Sequence, residues 1–167
     1  VVIPAFAVGR AQAVLYAIHV LKEAGAIPNL PVFLNSPMAI EATELYYHHL
    51  GEHRLSGDEC RAMARAATMV HSIEDSKKVN ALRDPMIVIS ASGMAPGGRV
   101  LHHLKTCAPD PRNTILFAGY QAGGTRGAAM MQGAKVIKIH GEHIPGRAEV
   151  IVLDQLSAHA DADEILK

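Results

Sequence analysis

Residues 85–104, PMIVISASGMAPGGRVLHHL, contain the transition that decides the fold. An apolar run ends at Ser90, a loop rich in serine and glycine follows, and an amphipathic segment begins near Gly98. A buried strand that leads through a glycine loop into a helix is the repeating unit of α/β proteins with a parallel sheet. The stretch therefore predicts one such unit, and it raises the question of whether the loop binds an anion.

The composition indicates one globular domain without a general affinity for nucleic acid. The 167 residues are 49% hydrophobic, which is sufficient for one core. Lysine plus arginine and aspartate plus glutamate both total 16, so the formal net charge is zero. Because the chain has no excess positive charge, any contact with phosphate must come from a local cluster of hydrogen-bond donors. The two cysteines lie far apart in the sequence, which suits a reducing compartment. The sequence shows no signal segment and no apolar run long enough to cross a bilayer. We therefore expect a soluble, cytoplasmic protein with no membrane partner.

Short apolar runs bounded by turn residues alternate with segments of helical period, as in βα units on a mainly parallel sheet. The predicted strands are residues 1–3, 32–34, 69–71, 86–90, 114–117, 136–139 and 149–153. The predicted helices are residues 11–24, 40–50, 58–67, 73–82, 98–106 and 127–132. We expect Gly25 and Gly51 to end the first two helices, and Ser56 with Glu59 to form a capping box on the third. We also expect the last two strands to form a hairpin around residues 141–146.

The fold class is therefore α/β, with a mainly parallel, Rossmann-like sheet flanked by helices. Polar loops follow three of its predicted strands, at residues 35–37, 90–98 and 119–125. The carboxyl ends of parallel strands meet at one edge of a sheet, where open α/β proteins bind their ligands. We therefore expect these three loops to open at the same edge.

Two of the loops contain candidate phosphate-binding residues. Free N–H groups at a helix start and glycines that admit a ligand to the backbone suit an anion, and an arginine there adds a bidentate contact. The candidates are Ser90, Ser92, Gly93, Gly97, Gly98 and Arg99 in the first loop, and Gly124 and Thr125 in the second. The spacing matches no nucleotide-binding fingerprint, so a plain βα connection is an equal alternative from the pattern alone.

The ten histidines do not predict a metal site. His49 and His53 have the spacing of two ligands on one helix face, but Gly51 between them is expected to end the helix. His159 differs from the others because it follows a strand, in a polar loop before an acidic segment. A histidine in that position is a candidate general acid or base, although the pattern alone also fits a residue without a catalytic role.

Five blocks of sequence together carry a resemblance to a known family. In chain order they are VIPAFAVGRAQAVLY, VFLNSPMA, VISASGMAPGGRVLHHLK, DPRNTILFAGYQAGGT and LSAHADADEIL. They resemble the β-CASP family of RNA-processing metallo-β-lactamase proteins, in particular bacterial and archaeal exonuclease-like members related to the cleavage and polyadenylation endonuclease. The resemblance covers nearly the whole chain, and the order of five blocks makes it far more specific than one glycine loop.

The resemblance implies a lid domain inserted into a metallo-β-lactamase domain, which holds two catalytic zinc ions through an HxHxDH motif and further ligands. This sequence has no HxHxDH; it begins inside a predicted strand and ends on DADEILK, a segment with the pattern of a helix. We therefore expect residues 1–155 to be the β-CASP domain and residues 156–167 to start the return into the missing metallo-β-lactamase domain. The full-length protein would hold zinc, and this fragment none.

The resemblance also assigns residues. His159 matches the family's motif B histidine, which lies beside the scissile phosphate as a general acid or phosphate ligand and is not a zinc ligand. The phosphate contacts carried over are Ser90, Ser92, Gly93, Gly124 and Thr125. Asn35 stands where many relatives have aspartate, and Gly123 replaces a frequent glutamate, so the resemblance does not fix the detailed substrate preference.

The implied function is that of an RNA-gripping lid of a zinc-dependent ribonuclease, inactive without its metallo-β-lactamase half. The implied partners are RNA and that missing domain, and homodimerisation is left open. One alternative is a non-catalytic RNA-binding or scaffolding module, as in relatives that have lost zinc ligands. Another is a small-nucleotide-binding α/β domain with no role in RNA metabolism.

Overall fold

The computed structural model describes residues 1–156, and its centre is a parallel sheet of six strands. In chain order the strands are β1 (Val2–Pro4), β2 (Val32–Leu34), β3 (Thr68–Met69), β4 (Ile87–Ser90) and β5 (Thr114–Ala118), then the separate antiparallel pair β6 (Val136–Ile139) and β7 (Glu142–Pro145), and finally β8 (Glu149–Leu153). Across the sheet the order is β3-β2-β4-β1-β5-β8, and neighbours are parallel. The predicted α/β fold with a mainly parallel sheet is confirmed.

Helices cover both faces of this sheet. They are α1 (Arg10–Glu23), α2 (Pro37–His48), α3 (Gly57–Arg65), α4 (Ile73–Ala81), α5 (Val100–Cys107) and α6 (Arg126–Met131). Successive strand residues point to opposite sides, so Ile3 packs in a cluster with α1, α2 and α3, whereas Val2 packs in another with α5. Parallel strands are buried on both faces in this way. Within residues 1–156, no helix combines the length and the apolar character needed to cross a membrane.

Local sequence rules placed two helix ends correctly. The hydroxyl of Ser56 accepts a hydrogen bond from the amide of Glu59 at 3.3 Å, and the carboxylate of Glu59 accepts from the amide of Ser56 at 2.8 Å. The predicted capping box at the start of α3 is therefore confirmed. Gly25 follows the end of α1 with a φ of 64°, as predicted for a residue that ends a helix.

The second helix differs from its predicted bounds at both ends. It begins at Pro37, because the Ser36 hydroxyl caps it by accepting from the Ala39 amide at 3.2 Å and proline is tolerated in the first turn. The expectation that Gly51 ends this helix is wrong. The helix ends at His48, and Gly51 lies in a tighter 3₁₀ turn that follows it.

The expectation of a hairpin between the last two strands is also wrong. β6 pairs with β7, a strand that the sequence pattern missed, through a turn in which His140 and Gly141 have φ values of 48° and 82°. Two positive φ angles fit a two-residue hairpin turn. β7 contains Glu142 and Pro145, which weaken its strand pattern. β8 instead extends the main sheet, in parallel with β5 over five residues.

Candidate functional site

The loops that follow β1, β2, β4 and β5 meet at one edge of the sheet. We call it the loop edge, and it comprises residues 5–9, 35–36, 91–99 and 119–125. The Ser90 hydroxyl donates to the carbonyl of Asn35 at 2.8 Å, which joins the ends of β4 and β2. The side-chain amide of Gln121 donates to the carbonyl of Gly93 at 3.1 Å, which joins the loops after β5 and β4. The prediction that the three polar loops open at the same edge is confirmed.

A fully buried asparagine organises the interior of this edge. Asn35 Nδ2 lies 2.6 Å from Nε2 of His103 and donates to the Ser76 hydroxyl at 2.7 Å, and Asn35 Oδ1 accepts from Arg99 Nη1 at 3.0 Å. We call these four residues the Asn35 cluster. Because a guanidinium only donates, the Asn35 amide has one orientation, and Nε2 of His103 must accept from it. His103 is therefore a neutral imidazole with its proton on Nδ1.

The surroundings of His103 favour this neutral form. Its pKa is lowered from 6.5 to about 4, chiefly by burial, and the electrostatic effects of His102 and Arg99 act in the same direction. His103 is 1% exposed, so its bond to Asn35 is shielded from solvent. The bond between the neutral His103 and Asn35 therefore holds α5 against the end of β2.

Two of the predicted phosphate ligands belong to this buried framework. Ser90 is completely buried, and its hydroxyl donates a hydrogen bond to the carbonyl of Asn35. Arg99 is half-buried, and besides Asn35 its guanidinium donates to the carbonyls of Val70 at 3.0 Å and His71 at 2.8 Å. The structure thus places both side chains where they position the loops. A direct phosphate contact by either stays a prediction.

The start of α5 is less open than the sequence suggested. The amide groups of residues 100–102 donate to the carbonyls of Ala91, Gly98 and Arg99, at 3.2, 3.2 and 3.0 Å. The expectation that these N–H groups are free for an anion is therefore wrong. These amide groups are occupied because Gly98, with a φ of 81°, turns the loop back on the start of the helix. The turn is tight, since a Cβ at Gly98 would lie 2.9 Å from the carbonyl oxygen of Ala91.

Other predicted loop residues lie nearer to the surface. Ser92 and Gly97 are half-buried, Gly124 is exposed, and a Cβ on either glycine would meet no atom within 4 Å. The hydroxyl of Thr125 accepts from the amide of Ala128 at 3.2 Å and so caps α6. Ser92, Gly97 and Gly124 are therefore the candidates that a ligand can approach, and their phosphate contacts stay predictions.

Gly93, by contrast, is buried against an aromatic ring. A Cβ on this residue would lie 2.9 Å from Cδ2 of Phe6 and 3.0 Å from the Phe6 amide nitrogen. The loop after β4 therefore approaches the loop after β1 as closely as a glycine allows. Its role in the structure is to seat Phe6, which the sequence reasoning did not consider.

A cleft of about 550 Å³ opens at the loop edge between the ends of β1 and β5. Phe6, Val8, Arg10 and Tyr120 line it, and none of them was a sequence-based candidate. Their shared signal was available in the pattern, since these large apolar residues and the arginine lie in the segments that follow two predicted strands, at the edge where a parallel sheet binds its ligands.

The described residues do not fit a zinc site. Within residues 1–156, no three histidine, cysteine, aspartate or glutamate side chains lie close enough to share one ion. His49 pairs with Glu52 at 3.1 Å, whereas Nε2 of His53 contacts the Tyr46 carbonyl at 2.7 Å, so the two histidines serve separate local contacts. The predicted catalytic His159 lies outside the described residues.

Comparison with known proteins identifies the family. The family model of the Beta-Casp domain matches residues 11–130. Ribonuclease TTHA0252 of Thermus thermophilus is 39% identical over 173 residues, which cover 99% of this chain and 39% of that protein. Transcription termination factor FttA of Methanosarcina mazei is 34% identical, with 99% and 28% covered. An RNase J-like protein of Methanocaldococcus jannaschii is 32% identical, with 100% and 39% covered.

The chain thus spans between 28% and 39% of the length of these relatives. The matched region runs from α1 to α6 and contains the Asn35 cluster and both glycine loops. On the match of the family model and the sheet topology, the chain belongs to the β-CASP domain family.

Proposed function

We propose that this chain is the RNA-contacting lid of a zinc-dependent ribonuclease. The observation that carries the proposal is the loop edge: Ser92, Gly97 and Gly124 are accessible there, on loops that buried hydrogen bonds hold in place. Pre-positioned backbone groups and hydroxyls suit a phosphate backbone, since they need no reorganisation when the ligand arrives. Two of the relatives are named as a ribonuclease and an RNase J-like protein, which supports RNA as the ligand.

The catalytic half of the enzyme lies outside this chain in our proposal. The chain covers 39% of the ribonuclease relative, and the described residues include no group of three side chains that could hold a zinc ion. We assign residues 1–155 to the lid and residues 156–167 to the return into the metallo-β-lactamase domain. That domain would be the partner of the loop edge and would carry the two zinc ions, and the fragment alone would be inactive.

His159 is the residue of this chain that we assign to the reaction. It would donate a proton to the leaving oxygen when the phosphodiester bond breaks, which stabilises the departing alkoxide. The assignment rests on the resemblance of LSAHADADEIL to the family motif, since His159 lies outside the described residues.

The test uses the natural full-length protein that contains this chain. His159→Ala should lower the rate of RNA cleavage about 10²- to 10⁴-fold, the usual contribution of a general acid, with the zinc content unchanged. His143→Ala is the matched control, because His143 is exposed on β7, and it should cleave RNA at the wild-type rate. Loss of zinc in His159→Ala would refute the assigned role. RNA binding without cleavage by the wild-type protein would establish the non-catalytic alternative.

A further inference from the structure

The loop after β4 is bound at three consecutive carbonyl groups by the segment that follows β5. In chain order, the carbonyls of residues 93–95 accept hydrogen bonds from the Gln121 side chain, the Gly127 amide and the Arg126 guanidinium, the first two at 3.1 Å. We call these three hydrogen bonds the carbonyl clamp. It joins the loop after β4 to the loop after β5 and to the first turn of α6.

The side chain of Gln121 has one orientation in this clamp. Besides Gly93, its Nε2 donates to the carbonyls of Gly119 and Tyr120, at 3.3 and 3.1 Å, so its oxygen must point the other way. That Oε1 is buried and has no hydrogen-bond partner within residues 1–156. An unpaired buried acceptor lowers the stability of a fold. This cost indicates that Gln121 serves the placement of the loop more than the stability of the domain.

The carbonyl clamp sets the direction of a free amide group. In a trans peptide unit the carbonyl oxygen and the amide hydrogen point in opposite directions, and the unit between Gly93 and Met94 is trans. Because the Gly93 carbonyl points to Gln121, the Met94 N–H points away from it. Among residues 1–156, this N–H has no acceptor in the protein, and neither has that of Gly97 or Gly98. Successive free N–H groups of this kind suit an anion.

Arg126 fixes the far end of the same turn. Ala95 is completely buried with a φ of 54°, a conformation that residues with a side chain rarely adopt. Its amide donates to the carbonyl of Ser92 at 3.1 Å, and its carbonyl accepts from Arg126. The Nε of Arg126 also donates to the Lys138 carbonyl at 2.8 Å, on β6. The half-buried guanidinium therefore uses its donors on the chain, although its charge beside a glycine loop looks suited to phosphate.

We infer that Gln121 and Arg126 are positioning residues: they act on bound RNA through the carbonyls of residues 93 and 95, without touching the RNA. The inference rests on the proposed function and names the side chains that hold the free N–H groups of the loop after β4 in place. It also gives Arg126 a role that needs no contact with phosphate.

The test measures binding to the natural full-length protein by fluorescence anisotropy, with a 2′-O-methylated single-stranded RNA at several salt concentrations. Gln121→Met and Arg126→Met should each weaken binding about 2- to 30-fold, the range for residues that act on a site through others. The slope of log K against log salt should stay unchanged, whereas a lost phosphate contact reduces it by about 0.7. Arg126→Lys should bind as weakly as Arg126→Met, because an ammonium lacks the planar fork that reaches two carbonyls.

Two further variants separate positioning from a loss of stability. Gly127→Ala leaves both side chains intact but displaces Gln121, since a Cβ at Gly127 would lie 1.8 Å from its Oε1, and it should weaken binding as Gln121→Met does. Asn113→Ala is the matched control, because it removes a 3.1 Å hydrogen bond to the Cys107 carbonyl at the opposite end of β5. This control should bind RNA like the wild type, with all proteins compared well below their melting temperatures.

The other outcomes distinguish this inference from the proposed function. If the wild type binds RNA and the Gln121, Gly127 and Arg126 variants bind equally well, the inference is wrong and the proposed function stands. If Arg126→Met lowers the salt slope and Arg126→Lys restores it, Arg126 touches phosphate and the inference is wrong. If Asn113→Ala weakens binding as much as the clamp variants, the effect is one of stability and the inference is again wrong. If the wild type binds no RNA, both the inference and the proposed function are wrong.

Discussion

Lowering the pH from 7 to 4 should destabilise this chain, chiefly through His103. In the folded state its Nε2 accepts a hydrogen bond from the Asn35 amide, and burial lowers its pKa from 6.5 to about 4. In the unfolded chain the same imidazole takes up a proton near pH 6.5. Below that pH the unfolded state binds more protons than the folded state, so the stability falls until the pH passes the folded pKa.

The magnitude follows from the two pKa values. The interval from 6.5 to about 4, at about 1.4 kcal/mol per pH unit, limits the loss in the free energy of unfolding to about 3.5 kcal/mol. About 3 kcal/mol of it is lost by pH 4, where the folded His103 is half protonated. This loss is a large fraction of the stability of a typical domain. This figure already includes the effects of His102 and Arg99, which act in the same direction as burial.

Urea unfolding at pH 7 and pH 4 measures this loss, with His103→Gln as the matched variant. Glutamine retains polar character at the site but does not titrate, so the variant should lose about 3 kcal/mol less than the wild type over the same pH interval. Carboxylates with lowered pKa values, such as those of Asp75 and Asp110, act equally in both proteins and cancel in the comparison. An equal pH dependence in the two proteins, or an NMR titration of His103 near pH 6.5, would refute the assignment of a neutral His103 in the Asn35 cluster.

Three further predictions concern the Asn35 cluster, the loop before α5 and the cap of α3. Asn35→Asp should raise the pKa of His103 well above 4, because a carboxylate beside the imidazole favours its charged form, and NMR titration measures the change. Gly98→Ala should lower the free energy of unfolding by about 1 to 3 kcal/mol through its positive φ and its contact with the chain, whereas Gly97→Ala, in open space, should leave it nearly unchanged in urea titrations. Ser56→Ala should cost about 1 kcal/mol in the same assay by removing the cap of α3.

The parts of the fold that local rules govern were predictable from the sequence. β2, β6 and β8 have the predicted bounds, and the capping box of Ser56 and Glu59 is present. Apolar runs bounded by turn residues and short-range hydrogen bonds decide these features within a few residues of sequence. The common edge of the three loops was predictable as well, because it follows from the parallel sheet.

The pairing of the last strands was not predictable in the same way. β8 joins β5, which is more than thirty residues earlier in the chain, by a ladder that runs from Thr114 and Glu149 to Ala118 and Leu153. Only the packing of β8 at the edge of the sheet selects this partner over the nearer β6. The positive φ of His140, which makes the β6–β7 hairpin, is uncommon for a residue with a side chain and leaves little signal in the sequence.

The roles of the candidate site residues were the hardest to derive. The contact between Asn35 and His103 joins residues 68 positions apart, so nothing near either residue reveals it. Ser90 and Arg99 looked like ligand contacts because serine and arginine beside glycines fit a phosphate site, but both serve the buried framework. Arg10 was overlooked for the opposite reason, since its cleft is completed by Gly119 from a distant loop.

The central claim is that this chain is the lid of a two-part ribonuclease, and one measurement tests it most directly. Zinc content and cleavage of single-stranded RNA are determined side by side for this chain and for the natural protein that contains it. The account predicts zinc and cleavage in the longer protein and neither in the chain alone. Tight zinc binding or RNA cleavage by this chain, or a longer protein that has neither property, would contradict it.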